Sequence, residues 1–277
     1  MRTVWVTGAS SGLGLAVAQA FAAHGWLVIA GARSFEDEAD KKAEAGRLLR
    51  FKLDVTSDES CAQFANKALA LSGRVDALVC GAAILVLGSC ENTTLEETLR
   101  VMDTNYAGAL RMVRLALPHM RAVHGGRIVL FSSINGLLGI PFQSAYTASK
   151  HALEGYAECL SMETRPFGVQ VCLVEPGDHR GGSGRTRLRA SAEDEASPYW
   201  QAYQEACAVI HRDESNGLEP QRLGEKVVLN VMRKRMRFRL RVAKPDQHLA
   251  VALHKLLPPK LNAAILRQYY LGDNQRK

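Results

Sequence analysis

The chain lacks the long apolar runs, paired cysteines and single-sign charge blocks that mark several classes of protein. No stretch of about 18 or more uncharged apolar residues occurs in its 277 residues, so no membrane-spanning helix is expected. Met1-Arg2 leads directly into TVWVTGAS, without the apolar stretch and small-residue cleavage site of a secretory leader. The six cysteines (Cys61, Cys80, Cys90, Cys159, Cys172 and Cys207) form no C-x-x-C pair and have no histidine nearby at metal-ligand spacing. Reduced thiols in a cytoplasmic protein without a structural metal are therefore expected. The excess of 35 Lys+Arg over 28 Asp+Glu, a net charge of +7, favours an anionic cofactor or substrate but does not by itself indicate nucleic-acid binding.

What is present is globular: 47% hydrophobic residues and 23% charged, with apolar mass enough for a sizeable core. The pattern alternates strands and helices. Strands are expected at 3–6, 26–32, 47–55, 75–80, 127–132 and 169–177. Between them fall an alanine-rich helix ending near His24 with Gly25 behind it, and a helix that Thr56 and Glu59 open as a capping box. Further helices are expected from Thr94, across 105–122, and from Tyr146 to about Pro166. Such alternation implies an α/β domain with a doubly wound parallel sheet covered on both faces, occupying about residues 1–180. GGSGR at 181–185 reads as a mobile loop. RKRMRFRLR at 233–241 sets arginine at every odd position against Met236, Phe238 and Leu240. Period 2 predicts a half-exposed edge strand with a solvated basic face, the alternative being an acidic partner for that face.

Between the first strand and the first helix, Gly8, Gly12 and Gly14 stand in T-G-x-x-x-G-x-G spacing. Glycines there let the backbone turn tightly and approach a pyrophosphate, whose charge sits at the helix N-terminus. A tight strand-to-helix turn without a ligand is the plainer alternative. Ser10, Ser11 and Leu13 complete the loop. The second strand ends in Ala32-Arg33 with no acid before Glu36. An acid would hold the free ribose hydroxyls of NAD, whereas an arginine holds a 2′-phosphate, so Arg33 favours NADP(H) over NAD(H).

TGASSGLG at 7–14, LDVT at 53–56, NYAG at 105–108, the two serines at 132–133, YTASK at 146–150 and Pro176-Gly177 follow one another in an order and spacing that resemble the short-chain dehydrogenase/reductase family. The likeness covers about residues 3–180 and is loosely nearest to hydroxysteroid- and retinol-type members. It implies a single Rossmann-fold domain of about seven strands that exchanges a hydride between NAD(P) and a carbonyl or alcohol. By the resemblance, Tyr146 is the acid/base, Ser133 bonds the substrate oxygen, and Lys150 holds the nicotinamide ribose and lowers the phenol's pKa from about 10. Asn105 would hold a water linking Lys150 to solvent. Asp54 and Val55 would meet the adenine, Gly81 and Ala82 the adenine ribose, and Pro176 and Gly177 the nicotinamide. Ser132 would face the other way. The chain departs from the family in reading CGAA at 80–83 where NNAG is usual, which questions local bracing and cofactor affinity, with Cys80 as a small buried filler.

Residues 180–220 occupy the place of the family's variable substrate lid and include the aromatic-rich PYWQAYQEACAVI at 198–210. An apolar pocket for a bulky ketone or alcohol is expected, unless Tyr199, Trp200 and Tyr203 pack the lid onto the body. The extension at 237–277 carries a leucine stripe split by Pro258-Pro259, expected to pack on the domain or on a second subunit rather than a membrane. By analogy a homodimer or homotetramer is expected. A non-catalytic NADP-sensing protein on the same scaffold is the rival reading, opposed by the retained Ser133, Tyr146 and Lys150.

Overall fold

The computed structural model describes residues 1–38, 42–181 and 187–272. Of the loop expected at 181–185, all but Gly181 lies outside these, as do residues 273–277 of the C-terminal extension. The first half runs β1 (Thr3–Thr7), α1 (Gly12–Ala23), β2 (Leu27–Ala32), β3 (Leu48–Lys52), α2 (Asp58–Ser72), β4 (Ala77–Cys80), β5 (Leu85–Leu87), α3 (Leu95–Met102) and α4 (Gly108–Ala122). It continues through β6 (Gly126–Phe131), α5 (Ser144–Thr164), β7 (Val169–Pro176), β8 (Arg187–Arg189), α6 (Trp200–Ser215) and α7 (Pro220–Val231). The last elements are β9 (Arg239–Val242), α8 (Pro245–Leu256) and α9 (Pro259–Leu271).

Seven strands form one parallel sheet in the order β3-β2-β1-β4-β6-β7-β9. Alternate residues feed two cores. Trp5, Ile29, Phe51, Leu78, Ile128 and Leu130 join one with Met112, Leu153 and Leu160, from α4 and α5. Val4, Val6, Val28, Val79, Val129 and Val174 join the other with Phe21 of α1 and Val227 of α7. Helices thus cover both faces, which is why the strands read as near-continuous apolar runs. The chain order reverses between β1 and β4, and a doubly wound sheet opens its ligand crevice beside such a switch, at the carboxyl ends of the strands.

Three local expectations need correction. Ser57, not Thr56, caps α2: its side chain accepts from the Ser60 backbone N–H, while Thr56 donates its N–H and hydroxyl to Asp54. β3 stops at Lys52, because the chain then turns at Asp54 toward that cap. The basic strand is confined to Arg239–Val242, and it does lie at the sheet edge, but its arginines are not simply solvated. Arg239 pairs with Glu154, Glu158 and Glu175, and Arg241 with Glu175, whose carboxylate is fully buried at the end of β7. The acidic partner of this stretch is the protein itself. The short parallel pair β5-β8, too brief to register as periodicity, stands apart from the main sheet.

Candidate active site

The loops following β1, β4, β6 and β7 converge on one cleft of about 460 Å³ at the carboxyl edge of the sheet. It is lined by Gly8, Ser10, Ser11, Leu13, Gly14, Arg33, Asp54, Val55, Gly81, Ala82, Ser133, Tyr146, Lys150, Pro176 and Gly177 among others. Of the residues selected from sequence, Gly12 and Asn105 alone do not line it. Gly12 instead starts α1 with φ +54°.

The glycine loop is shaped by close approach. A Cβ on Gly14 would lie 2.2 Å from the Gly8 carbonyl oxygen, and Gly8, at φ +69°, leaves no room beside the backbone of Ala82. The N-cap residue Ser11 makes no side-chain cap bond and the first turn of α1 holds no acid. Its orphan N–H groups and positive dipole end therefore face the cleft without a protein partner, as an anion site requires. Arg33 is exposed where β2 ends, close enough to Asp54 for its charge to be felt. Although burial opposes it, Thr56 hydrogen bonds and the Arg33 and Arg111 charges hold the Asp54 carboxyl below its ordinary range. These features fit a phosphate-bearing dinucleotide.

The CGAA segment is braced by other means. Thr7 Oγ1 accepts from the backbone N–H of Gly81 and Ala82 at 3.1 and 3.2 Å. Asn105 lies in a single wide helical turn, Asp103–Ala107, joining α3 to α4. Its side chain takes the Ile84 N–H at 2.8 Å and donates to the Ile84 carbonyl and to Ser149 Oγ, tying the loop after β4 to α5. Cys80 is buried with its thiol pushed up by desolvation, a filler.

Beyond β6, Ser133 caps a short helical turn at 134–136 and hydrogen-bonds Tyr146 from α5. Its Oγ also accepts the Asn135 N–H at 3.2 Å. Asn135 donates to Gln143 at 3.0 Å, so a small polar network fixes the serine. Ser132 turns away toward Gly136 and Glu154. One helical turn after Tyr146, Lys150 is 2% exposed, donates to the Phe131 carbonyl at 2.7 Å, and lies 5.3 Å from the centre of the tyrosine ring. Desolvation draws the ammonium down from 10.5 to about 8, opposed by Glu154. The expected lowering of the phenol does not occur in the protein without cofactor. Burial raises Tyr146 to about 12, Glu214 adds to the rise, and the Ser133 hydrogen bond offsets only part of it.

Sequence reading missed the far wall: Asn135, Gln143, Asp178, His179, Ile210, Asp213, Glu214 and Tyr270. Only the position of Asp178-His179 directly after Pro176-Gly177 was a signal. The aromatics of 198–210 do not reach the cleft. Trp200 stacks on Tyr203 at 5.5 Å and Tyr203 meets Phe142 edge-on, packing this segment onto the body. The tail packs only in part: Val251 and Asn262 are buried and Tyr270 touches the cleft, while Leu249 and Leu256 stay exposed.

A doubly wound sheet with an anion-ready first helix and a Ser-Tyr-Lys cluster across the cleft defines a dinucleotide-dependent oxidoreductase scaffold. The sequence matches the short chain dehydrogenase family over residues 2–190, and the chain belongs to that family. It is 34% identical to the 3-ketodihydrosphingosine reductase of Bacteroides thetaiotaomicron, over 97% of this chain and 98% of that one. It is 39% identical to human retinol dehydrogenase 8 over 64% of this chain and 58% of the relative. A short-chain dehydrogenase from Streptomyces avermitilis has the same fold, with 30% identity, a TM-score of 0.80 and 97% of each chain covered. A metagenomic short-chain oxidoreductase in complex with NADP matches at 25% identity and a TM-score of 0.66, over 88% of this chain and 96% of that one. A Burkholderia phymatum member in complex with NAD matches in fold at 24% identity and a TM-score of 0.76, over 91% and 92%. The chain is thus an oxidoreductase of a family that acts on small molecules with NAD or NADP. Among the described residues no helix is long and apolar enough to cross a membrane.

Proposed function

We propose that the protein is an NADP(H)-dependent reductase of ketones with an apolar body, working in the cytoplasm. The observation that carries this reading is the hydrogen bond between Ser133 and Tyr146, beside buried Lys150, in the same cleft as the uncapped N-terminus of α1. The loop from Ser10 to Gly14 would hold the pyrophosphate and Arg33 the 2′-phosphate. Asp54 and Val55 would meet the adenine, Gly81 and Ala82 its ribose, Lys150 and Tyr146 the second ribose, and Pro176 and Gly177 the nicotinamide. When bound, NADP(H) supplies the hydride.

The residues of the chain handle the proton. A phenol raised to about 12 is protonated at neutral pH and serves as an acid, which fits reduction. Tyr146 donates its proton to the carbonyl oxygen while Ser133 keeps the phenol aligned. Lys150 supplies positive charge next to the phenolate that results. Asn105, through Ile84 and Ser149, positions these groups and would carry the water that returns a proton to Lys150. The segment 180–220 would serve as the lid, and Leu85, Ile134 and Ile210 offer an apolar wall. The resemblance over nearly the whole chain to a 3-ketodihydrosphingosine reductase supports a ketone substrate. A panel of ketones and alcohols assayed with NADPH and with NADH tests the reading: faster ketone reduction with NADPH is expected, and no turnover with either cofactor would remove it.

A further inference from the structure

Resting on the reductase reading, we propose that the substrate carries a protonated primary amine near its carbonyl, held by an acceptor-only array of Asp178, His179 and Glu214. The array is built from two elements. Asp178 and His179 follow β7, and Asp213 and Glu214 occupy the last turn of α6, all on the cleft wall. Carboxylates in a last helical turn face the negative end of the helix dipole, an arrangement unfavourable to stability on its own.

His179 gives the independent indication. It is 5% exposed, and its Nδ1 lies 2.9 Å from the Gly177 carbonyl, which can only accept, so Nδ1 bears the hydrogen. Nε2 is then a lone-pair acceptor, and it is buried with no hydrogen-bond partner among the described residues. Desolvation lowers the imidazole pKa, which keeps that lone pair available. A buried acceptor without a donor is costly, and an N–H of a ligand is what it lacks.

The acids are compensated unequally. Glu214 pairs with Arg187, and Asp213 with Arg212 and the Tyr269 hydroxyl. Asp178 receives one neutral donor, Gln247 Nε2 at 2.5 Å, and has no ion pair among the described residues. Burial, with repulsion from Asp213 and Glu214, raises its carboxyl to about 6, against the weaker pull of Lys244. The cations on the same cleft are directed elsewhere, Lys150 to the Phe131 carbonyl and Arg33 to the opposite end beside Asp54. Glu214 is near enough to the Tyr146 phenol to raise its pKa, which puts the array beside the reacting carbonyl. An ammonium offers three donors and one positive charge, matching what these groups leave unmet. Leu85, Ile134 and Ile210 remain for the apolar body of the same molecule.

The test is equilibrium binding to the NADP(H)-loaded protein, with octylamine and octanol as a matched pair of probes at pH 7.5. Octylamine is expected to bind about tenfold or more tightly than octanol, the range for a hydrogen bond to a charged group. Asp178→Asn and Glu214→Gln should each remove most of that preference while octanol and NADPH bind as before. Equal affinities in the wild type overturn the proposal, as does a preference kept in both variants. Reduction of neutral ketones, measured separately, reports on the reductase reading, so the two can fail independently.

Discussion

Replacing Lys150 by methionine is expected to stabilise the cofactor-free protein at neutral pH while removing its activity. The ammonium is 2% exposed, and its pKa falls from 10.5 to about 8 because burial disfavours the charge. The folded-state value lies below the unfolded one, so at pH 7, where both states are protonated, the full penalty of about 3 kcal/mol applies. Between pH 8 and 10.5 the folded protein sheds the proton while the unfolded chain keeps it, and the penalty fades. Methionine fills similar space but forfeits the bond to the Phe131 carbonyl, a loss of about 1 kcal/mol. The net gain at pH 7 is about 2 kcal/mol, or about 5 °C in Tm for a domain of this size. Calorimetry of both proteins from pH 6 to 10.5 reads it: the Tm advantage of Lys150→Met should shrink above pH 8 and reverse by pH 10.5. A variant less stable at pH 7, or a Tm difference independent of pH, would refute the claim that the site holds a strained cation.

Other outcomes follow from the same geometry. Arg33→Ala should weaken NADPH binding by about 10- to 100-fold, the worth of a charge-assisted phosphate contact, and leave NADH almost unchanged in a fluorescence titration. Gly14→Ala forces a Cβ to 2.2 Å from the Gly8 carbonyl, so calorimetric titration should show both dinucleotides lost or severely weakened. Asn105→Ala leaves the buried Ile84 N–H without its acceptor; urea unfolding should show about 1–3 kcal/mol of destabilisation.

How much of this was legible in the sequence depended on the range of the physics involved. Six strands and the first five helices announced themselves because each carries its own periodicity and punctuation, as Gly25 behind α1 does at φ +77°. The phosphate loop was readable because close approach demands glycine itself at Gly8 and Gly14. Tyr146 and Lys150 were readable because a four-residue spacing on a helix is a contact. Their ionisation was not: the phenol rises rather than falls because burial and Glu214, sixty-eight positions away in sequence, outweigh local pairing. The wall formed by His179, Glu214 and Tyr270 has no local pattern, since residues from three distant segments meet only when the sheet closes. The arginines of β9 misled for the same reason, because Glu154 and Glu175 reach them through tertiary packing.

The central claim is that Tyr146 delivers the proton in an NADPH-dependent ketone reduction. The direct measurement is single-turnover reduction by Tyr146→Phe alongside its NADPH affinity. The account predicts affinity within a few-fold of wild type and a rate lower by about 10²–10⁴. Undiminished reduction by the phenylalanine variant would contradict it.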